Sequence, residues 1–303
     1  MRKNISTLML AAVALLASCS QDEALQSDNN TGNELKTVTI TASLPDGSMT
    51  TRATANDDLQ ATNCYVQVRK ADGTLLDGDE AAPRKMEQNG SGFSLTLTLN
   101  PEESYQFLFW ADNTTVDYST YDLTSVPYDG GVTGKVIAFA EKLDNQAWSQ
   151  NGISVNLKHV VTRISVKSTT DAAIDDQRTQ TVIVPTFYMA YNVQDMAPVE
   201  ASAAVNLIYS GFTSATNATP DAPAQMGFFY TLQGNDQTAT QPLTLHYDGD
   251  LHNPEVTIAN VPLRPNYHVT LQGDVRNAGL VQGNITVSVN PDWDTDTDDP
   301  VEF

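Results

Sequence analysis

The sequence predicts an all-β protein, with two tandem antiparallel β-sandwich domains behind a short amino-terminal leader. Three observations predict it. Apolar and polar residues alternate with a period of two along most of the chain; the runs are separated by turn residues such as Asp-Gly, where glycine accepts a positive φ; and no stretch carries a long 3.6-residue apolar period. At 303 residues the chain is long enough for two domains with ordinary cores.

The first element lies outside the fold. "MRKNISTLMLAAVALLASCS" begins with Arg2 and Lys3, continues through an apolar run from Leu8 to Ala17, and ends in small residues before a cysteine, which is the layout of a secretory signal. The run is too short to span a bilayer, which takes about 20 apolar residues. Leu16-Ala17-Ser18-Cys19 resembles the bacterial lipobox, in which the chain is cut before the cysteine and lipid is attached to it. Acylated Cys19 would anchor the protein stably, at about 0.8 kcal/mol per buried methylene. Residues 1–18 are therefore expected to be a lipoprotein signal peptide and residues 19–34, polar and aperiodic, a flexible tether. Asp22 and Glu23, just behind the cysteine, resemble the surface-export signal of Bacteroidetes lipoproteins.

The strand candidates follow in order. Residues 35–44 alternate cleanly, with Val38, Ile40, Ala42 and Leu44 on one face, and Pro45-Asp46-Gly47 forms the turn after them. "CYVQVRK-ADG-TLL" (64–76) reads as a hairpin. Further runs are 93–99, 105–111, 135–140, 153–157, 160–168, 181–189, 225–232, 243–247, 254–261, 267–275 and 284–289. A polar turn at Gln150-Asn151-Gly152 sets the expected boundary, giving an amino-terminal domain over 35–152 and a carboxyl-terminal one over 153–303. Cys64, the only cysteine besides Cys19, is expected as a small buried strand residue, and Trp110 as core.

Composition excludes some functions. Charged residues make up 17% of the chain and the net charge is −21, with no basic cluster, so nucleic acid is not a partner. His159, His246, His252 and His268 are scattered without metal spacing and are expected at the surface or at strand edges. "DGGVTGK" (129–135) lacks phosphate-loop spacing, and no nucleophile or HExxH pattern appears, so no enzyme, cofactor or resident metal is expected. Asp292, Asp294, Asp296, Asp298 and Asp299 invite a calcium reading but lack the glycine and twelfth-position acid of an EF-hand, leaving a solvated acidic tail as the alternative.

One basic residue, Arg52, stands alone between Lys36 and Arg69, in the polar stretch Met49-Thr50-Thr51-Arg52-Ala53-Thr54. Near the carboxyl end Ile285, Val287 and Val289 alternate with Thr286 and Ser288, much as the first strand does. A cut after Arg52 would free the first strand, and a strand of another molecule could take its place by strand addition.

This layout resembles the Bacteroidetes fimbrillins, the subunits of type V pili. "YQFLFWAD" (105–112), "LKHVVTRISV" (157–166), "VPLRPNYHVTLQGDV" (261–275) and "ITVSVNPDW" (285–293) look like strands of that superfamily. The resemblance implies Greek-key, transthyretin-like sandwiches and an outer-membrane lipoprotein at the cell surface or in a fimbrium. It implies processing between Arg52 and Ala53, loss of the strand carrying Val38, Ile40 and Ala42, and a donor face made of Ile285, Val287 and Val289. The implied partners are other pilin subunits, the outer membrane through the lipid, and a host or bacterial surface glycan or protein. A surface glycan-binding lipoprotein, with Trp148 or tyrosines as an aromatic platform, stays open beside it. A β-sandwich hydrolase is the third reading, without a catalytic signature.

Overall fold

The computed structural model describes residues 34–45, 60–90, 92–128, 134–174, 180–201, 207–236, 238–247, 255–277, 285–295 and 301–302. All of its regular structure among these residues is strand, apart from single 3-10 turns at Gly78–Ala81, Tyr118–Thr120, Val275–Asn277 and Trp293–Thr295. The leader, Cys19, the tether, Arg52, Ala53 and His252 lie outside the described residues.

Two sheets build the first core. In the first sheet β1 (Lys36–Ser43) lies between β5 (Gly92–Leu99) and β9 (Ile153–Asn156), with β4 (Glu87–Asn89) beyond β5. The second sheet runs β10 (Lys158–His159), β8 (Ala138–Ala147), β6 (Ser104–Asp112), β2 (Asn63–Lys70), β3 (Arg84–Lys85). Val38, Ile40, Phe93 and Leu97 of the first sheet join Val66, Phe107, Phe109 and Phe139 of the second in one apolar cluster. The second core draws on two further sheets. One runs β16 (Ala224–Leu232), β11 (Val161–Ser168), β19 (His268–Gly273), β20 (Ile285–Asn290), β21 (Val301–Glu302); the other runs β15 (Leu207–Tyr209), β12 (Gln180–Val184), β17 (Gln241–Tyr247), β18 (Glu255–Val261). A small fifth sheet, β14 (Ala197–Ala201), β13 (Tyr188–Asn192) and β7 (Val126–Pro127), ties the halves together, because β7 and β13 come from different halves of the chain.

β6 is buried on both faces, which is why its sequence reads as a continuous apolar run. Tyr65, Gln67 and Arg69 on β2 share a face with Leu108, Trp110 and Asp112 on β6, since paired residues point the same way. That face is covered by residues 117–123 and by the turn after β13. Trp110 packs 5.8 Å from Tyr191, Arg69 Nη1 donates to Gln194 Oε1 at 3.1 Å, and Arg69 Nη2 pairs with Asp122. Asp112, 1% exposed, accepts from Trp110 Nε1 (2.9 Å), Tyr118 OH (2.5 Å), and both the N–H and Oγ1 of Thr114 (2.9 and 2.8 Å).

Several expectations are corrected. Residues 153–159 belong with the first half, because β9 pairs with β1 and β10 with β8; the change of sheets falls at β11, not at the turn 150–152. The run 181–189 is two strands in two sheets, interrupted at Pro185, which has no N–H to give a ladder. The hairpin over 64–76 shrinks to a single bridge, Arg69 to Leu75, since β2 pairs along its length with β6. Cys64 is fully buried as expected, its Sγ 3.5 Å from Met86 Sδ, and burial, reinforced by Asp112, pushes its thiol far above the ordinary range.

Two histidines depart from the surface expectation. His159 is 4% exposed, with its ring between Phe139 and Trp293 and its Nδ1 2.5 Å from Asp294 Oδ1. His268, half-buried, stands on the interior strand β19 with Nε2 2.9 Å from Ser165 Oγ, and its partial removal from water, then the charges of Arg163 and Lys167, lower its pKa to about 3. His246, half-buried on β17, lies 3.9 Å from Glu255.

Asp112→Ala removes the acceptor of two buried ring donors and is expected to cost about 3 kcal/mol or more, read as a lower urea midpoint; Asp112→Asn, which keeps an acceptor, costs less. His268 is held neutral in the folded chain while the unfolded chain binds its proton near the ordinary 6.5, so its contribution is complete above that pH and is lost as the pH falls toward 3. In His268→Gln the fall in stability between about pH 6.5 and 4 is expected to flatten, measured as thermal midpoints across that range.

Candidate functional site

The fold makes β1 the most consequential single element of the first half. It pairs antiparallel with β5 over eight residues, from Lys36 opposite Leu99 to Ser43 opposite Gly92, and parallel with β9 over four, from Ile40 opposite Ile153 to Ser43 opposite Asn156. It is therefore an interior strand although it is the first in the chain. Its inward residues Val38, Ile40, Ala42 and Leu44 are 3%, 0%, 1% and 7% exposed, whereas Thr37 and Thr39 face out. The sequence-predicted face is thus the buried one.

The slot around β1 is close-fitting. Val38 stands opposite Leu97, Ile40 between Leu95 and Ile153, and Ala42 between Phe93 and Val155. At the rim, a Cβ on Gly92 would sit 2.4 Å from the Ala42 carbonyl oxygen, and one on Gly152 would sit 2.8 Å from that of Thr39. Gly152 also holds φ at +84°, which side-chain-bearing residues rarely adopt. Trp148 closes the slot from outside. Its Nε1 donates to the Thr37 carbonyl at 3.0 Å, and Lys36 Nζ lies 5.2 Å from its ring centre. Trp148 is thus half-buried and engaged with β1 through its indole N–H and the Lys36 side chain.

β20 is placed differently. Ile285, Val287 and Val289 face the second core, opposite Gly273, Leu271 and Val269 of β19, and Val289 is 1% exposed. Just beyond it, the Trp293 ring stacks 3.7 Å from the His159 ring and the Trp293 backbone N–H donates to the Asn266 carbonyl at 3.0 Å, while the Asp294 backbone N–H donates to Asn266 Oδ1 at 2.9 Å. The structure therefore does not bring the two predicted strand faces together; each fills its own core. Asp292 and Asp294 are engaged with Asn266 and His159, and among the described residues no group of three acids, histidines or cysteines is placed to hold a metal. Asp296, Asp298 and Asp299 lie outside the described residues.

One feature the sequence did not signal is a groove at the seam between the halves, with a volume of about 320 Å³. Tyr118, Tyr121 and Tyr128 line it with Met189, and Tyr121 and Met189 are 42% and 54% exposed. Its residues are brought together by the β7–β13 pairing, which no local pattern announces.

The fold is distantly similar to crystal structures of proteins from Parabacteroides and Bacteroides. A fimbrial assembly protein from Parabacteroides distasonis is 15% identical at a TM-score of 0.44, covering 85% of this chain and 96% of that one. A "putative cell adhesion protein" from Bacteroides eggerthii is 17% identical at 0.45, covering 86% and 97%, and a "putative adhesin" from Bacteroides ovatus is 10% identical at 0.44, covering 94% and 99%. No curated protein matches the sequence. Residues 29–302 match the model of a family of unknown function, DUF6562, and the chain belongs to that family.

Proposed function

We propose that this protein is a subunit of a cell-surface fimbria, or a fimbrillin-like surface lipoprotein, held at the outer membrane through Cys19 and assembled by strand replacement. In this reading the two cores are tandem Greek-key sandwiches, cleavage between Arg52 and Ala53 frees β1, and a strand of another subunit occupies the vacated slot. The observation that carries it is the interior position of β1. Residues 46–59 join β1 to the segment leading into β2, and they contain Arg52. After a cut there, β1 is held by its ladders and by the burial of Val38, Ile40 and Leu44, worth roughly 1.5–3 kcal/mol each. Its loss bares the facing edges of β5 and β9 and an apolar floor, a template for another strand.

A second reading, glycan binding, is favoured by the seam groove, since the exposed Tyr121 ring beside a lining with no charged residue among the described residues suits a neutral sugar ring. Tyr121→Ala is then expected to abolish retention of the protein on the glycan that binds it, in affinity electrophoresis, whereas unchanged retention removes this reading.

The strand-replacement reading is tested by limited digestion with an arginine-specific protease, sequencing of the new amino terminus, and electrophoresis without boiling. A terminus at Ala53 with a detergent-resistant ladder is expected, and Arg52→Ala is expected to give neither while unfolding at the same temperature as the parent. Ladders from the Arg52→Ala protein would remove the protease step. Independently, Gly152→Ala is expected to destabilise the uncut chain by about 1–3 kcal/mol through its positive φ and its approach to Thr39, seen as a lowered urea midpoint.

A further inference from the structure

We infer that the β1 slot selects its occupant by size, requiring alanine or glycine at the Ala42 position, and that a strand entering in the direction of β1 is therefore not β20 of an identical copy. The inference rests on the strand-replacement reading and narrows it, for that direction, to a partner subunit of different sequence. That partner offers branched aliphatic residues at the first two inward positions of its strand and a small residue at the third.

The argument is one of facing volumes. Ala42 lies opposite Phe93 in the antiparallel ladder and opposite Val155 in the parallel one, and all three are buried in the first core at 1%, 3% and 5% exposure. A bulky ring on one neighbour and a branched side chain on the other leave room for a methyl group between them. The backbone is closely packed here too, since a Cβ on Gly92 would sit 2.4 Å from the Ala42 carbonyl oxygen. Adding methyl groups to such a position forces neighbours off their rotamers.

β20 has the opposite profile. It runs Ile285, Val287, Val289, and its bulkiest residue lies opposite Gly273 in its own sheet. Laid in the slot in the direction of β1, which keeps the antiparallel ladder to β5 and the parallel one to β9, it puts Val289 at the Ala42 position, and shifted by one pleat either way it puts Val287 or Pro291 there. Each of these registers sets a residue larger than alanine against Phe93. β20 and its own sheet fit each other, and the β1 slot fits something else.

The experiment uses the full chain nicked after Arg52, with β1 still seated, and follows its exchange with fluorescent peptides. A peptide of residues 34–45 is expected to enter, and its Ala42→Gly form to follow within a few-fold. Its Ala42→Val form should bind at least about tenfold more weakly, the overpacking effect carried into affinity. A peptide of residues 284–291 should compete poorly and improve when Val289→Ala is introduced. Equal binding of the parent and Ala42→Val peptides, or entry of the 284–291 peptide as readily as the parent, overturns the inference. Failure of every peptide, the native sequence included, overturns strand replacement and the inference with it. The size requirement is read separately in the uncut protein by a double-mutant cycle: Phe93→Leu should recover part of the thermal midpoint lost in Ala42→Val, and strictly additive effects would overturn the fit of Ala42 against Phe93 whatever the peptides do.

Discussion

The parallel pairing of β1 with β9 is the contact on which the first half depends. Ile40 meets Ile153 across a separation of most of that unit, so the sheet is not continuous until residues 153–156 have arrived. Closing so long a loop carries an entropic cost that only the completed ladder and core offset, which places this contact late and makes it cooperative with everything between. Antiparallel pairing with β5 alone would leave Ile40 and Ala42 with one flank bare. With both neighbours present, the first strand of the chain becomes one of its most buried.

The second constraint is the covered outer face of the β2–β6 pair. A sheet with one face on a core and the other in water shows alternation, but here the far face carries Tyr65, Leu108 and Trp110 and needs its own cover. The cover comes partly from the second half, through Tyr191, Val193 and Gln194. Arg69, anchored to Asp122, to the Gly73 carbonyl and to Gln194, fixes where that cover sits. A half-buried charge pair, with the Asp122 side chain 40% exposed, gains little net stability, so its contribution is better seen as setting the register between the halves than as holding them together. Burial pulls the Asp122 carboxyl upward, but the Thr124 N–H and hydroxyl and the Arg69 guanidinium outweigh it and hold its pKa below the usual carboxylate value.

What the sequence revealed follows from the range of the interactions involved. Alternation is local, and it located β1, the apolar β6, and the inward faces of β1 and β20 correctly; Cys64 and Trp110 were legible because each sits inside an apolar run. Pairing between distant segments is not local. The turn at 150–152 looked like a boundary because turns punctuate sequences, yet the strand after it returns to the first sheet. His159 looked like a surface residue because nothing near it in sequence announces Asp294 and Trp293, which reach it from the far end of the chain. The same holds for the seam groove, assembled from residues between Thr114 and Tyr128 with Val136 and Met189. Cys19, Arg52 and Ala53, which carry the anchoring and processing expectations, lie outside the described residues.

The two ends of the fold are built on different principles. β1 is buried but joined to its neighbour in sequence only through residues 46–59, a stretch with no large aliphatic residue before Leu59 apart from Met49. β20 is attached more broadly: it pairs with β19 along its length and with β21 at Ser288 and Val289, and is followed at once by a ring stack and paired hydrogen bonds to Asn266. Removing β20 means drawing Trp293 away from His159 and Tyr230 as well as unzipping a ladder. An element designed to leave needs a tight slot and a weak covalent tie, because the slot then provides the gain for whatever enters. An element designed to stay needs fastening beyond its own hydrogen bonds. On the proposed strand replacement, β1 has the tight slot that an exchanged element needs, and β20 has the added fastening of an element that stays.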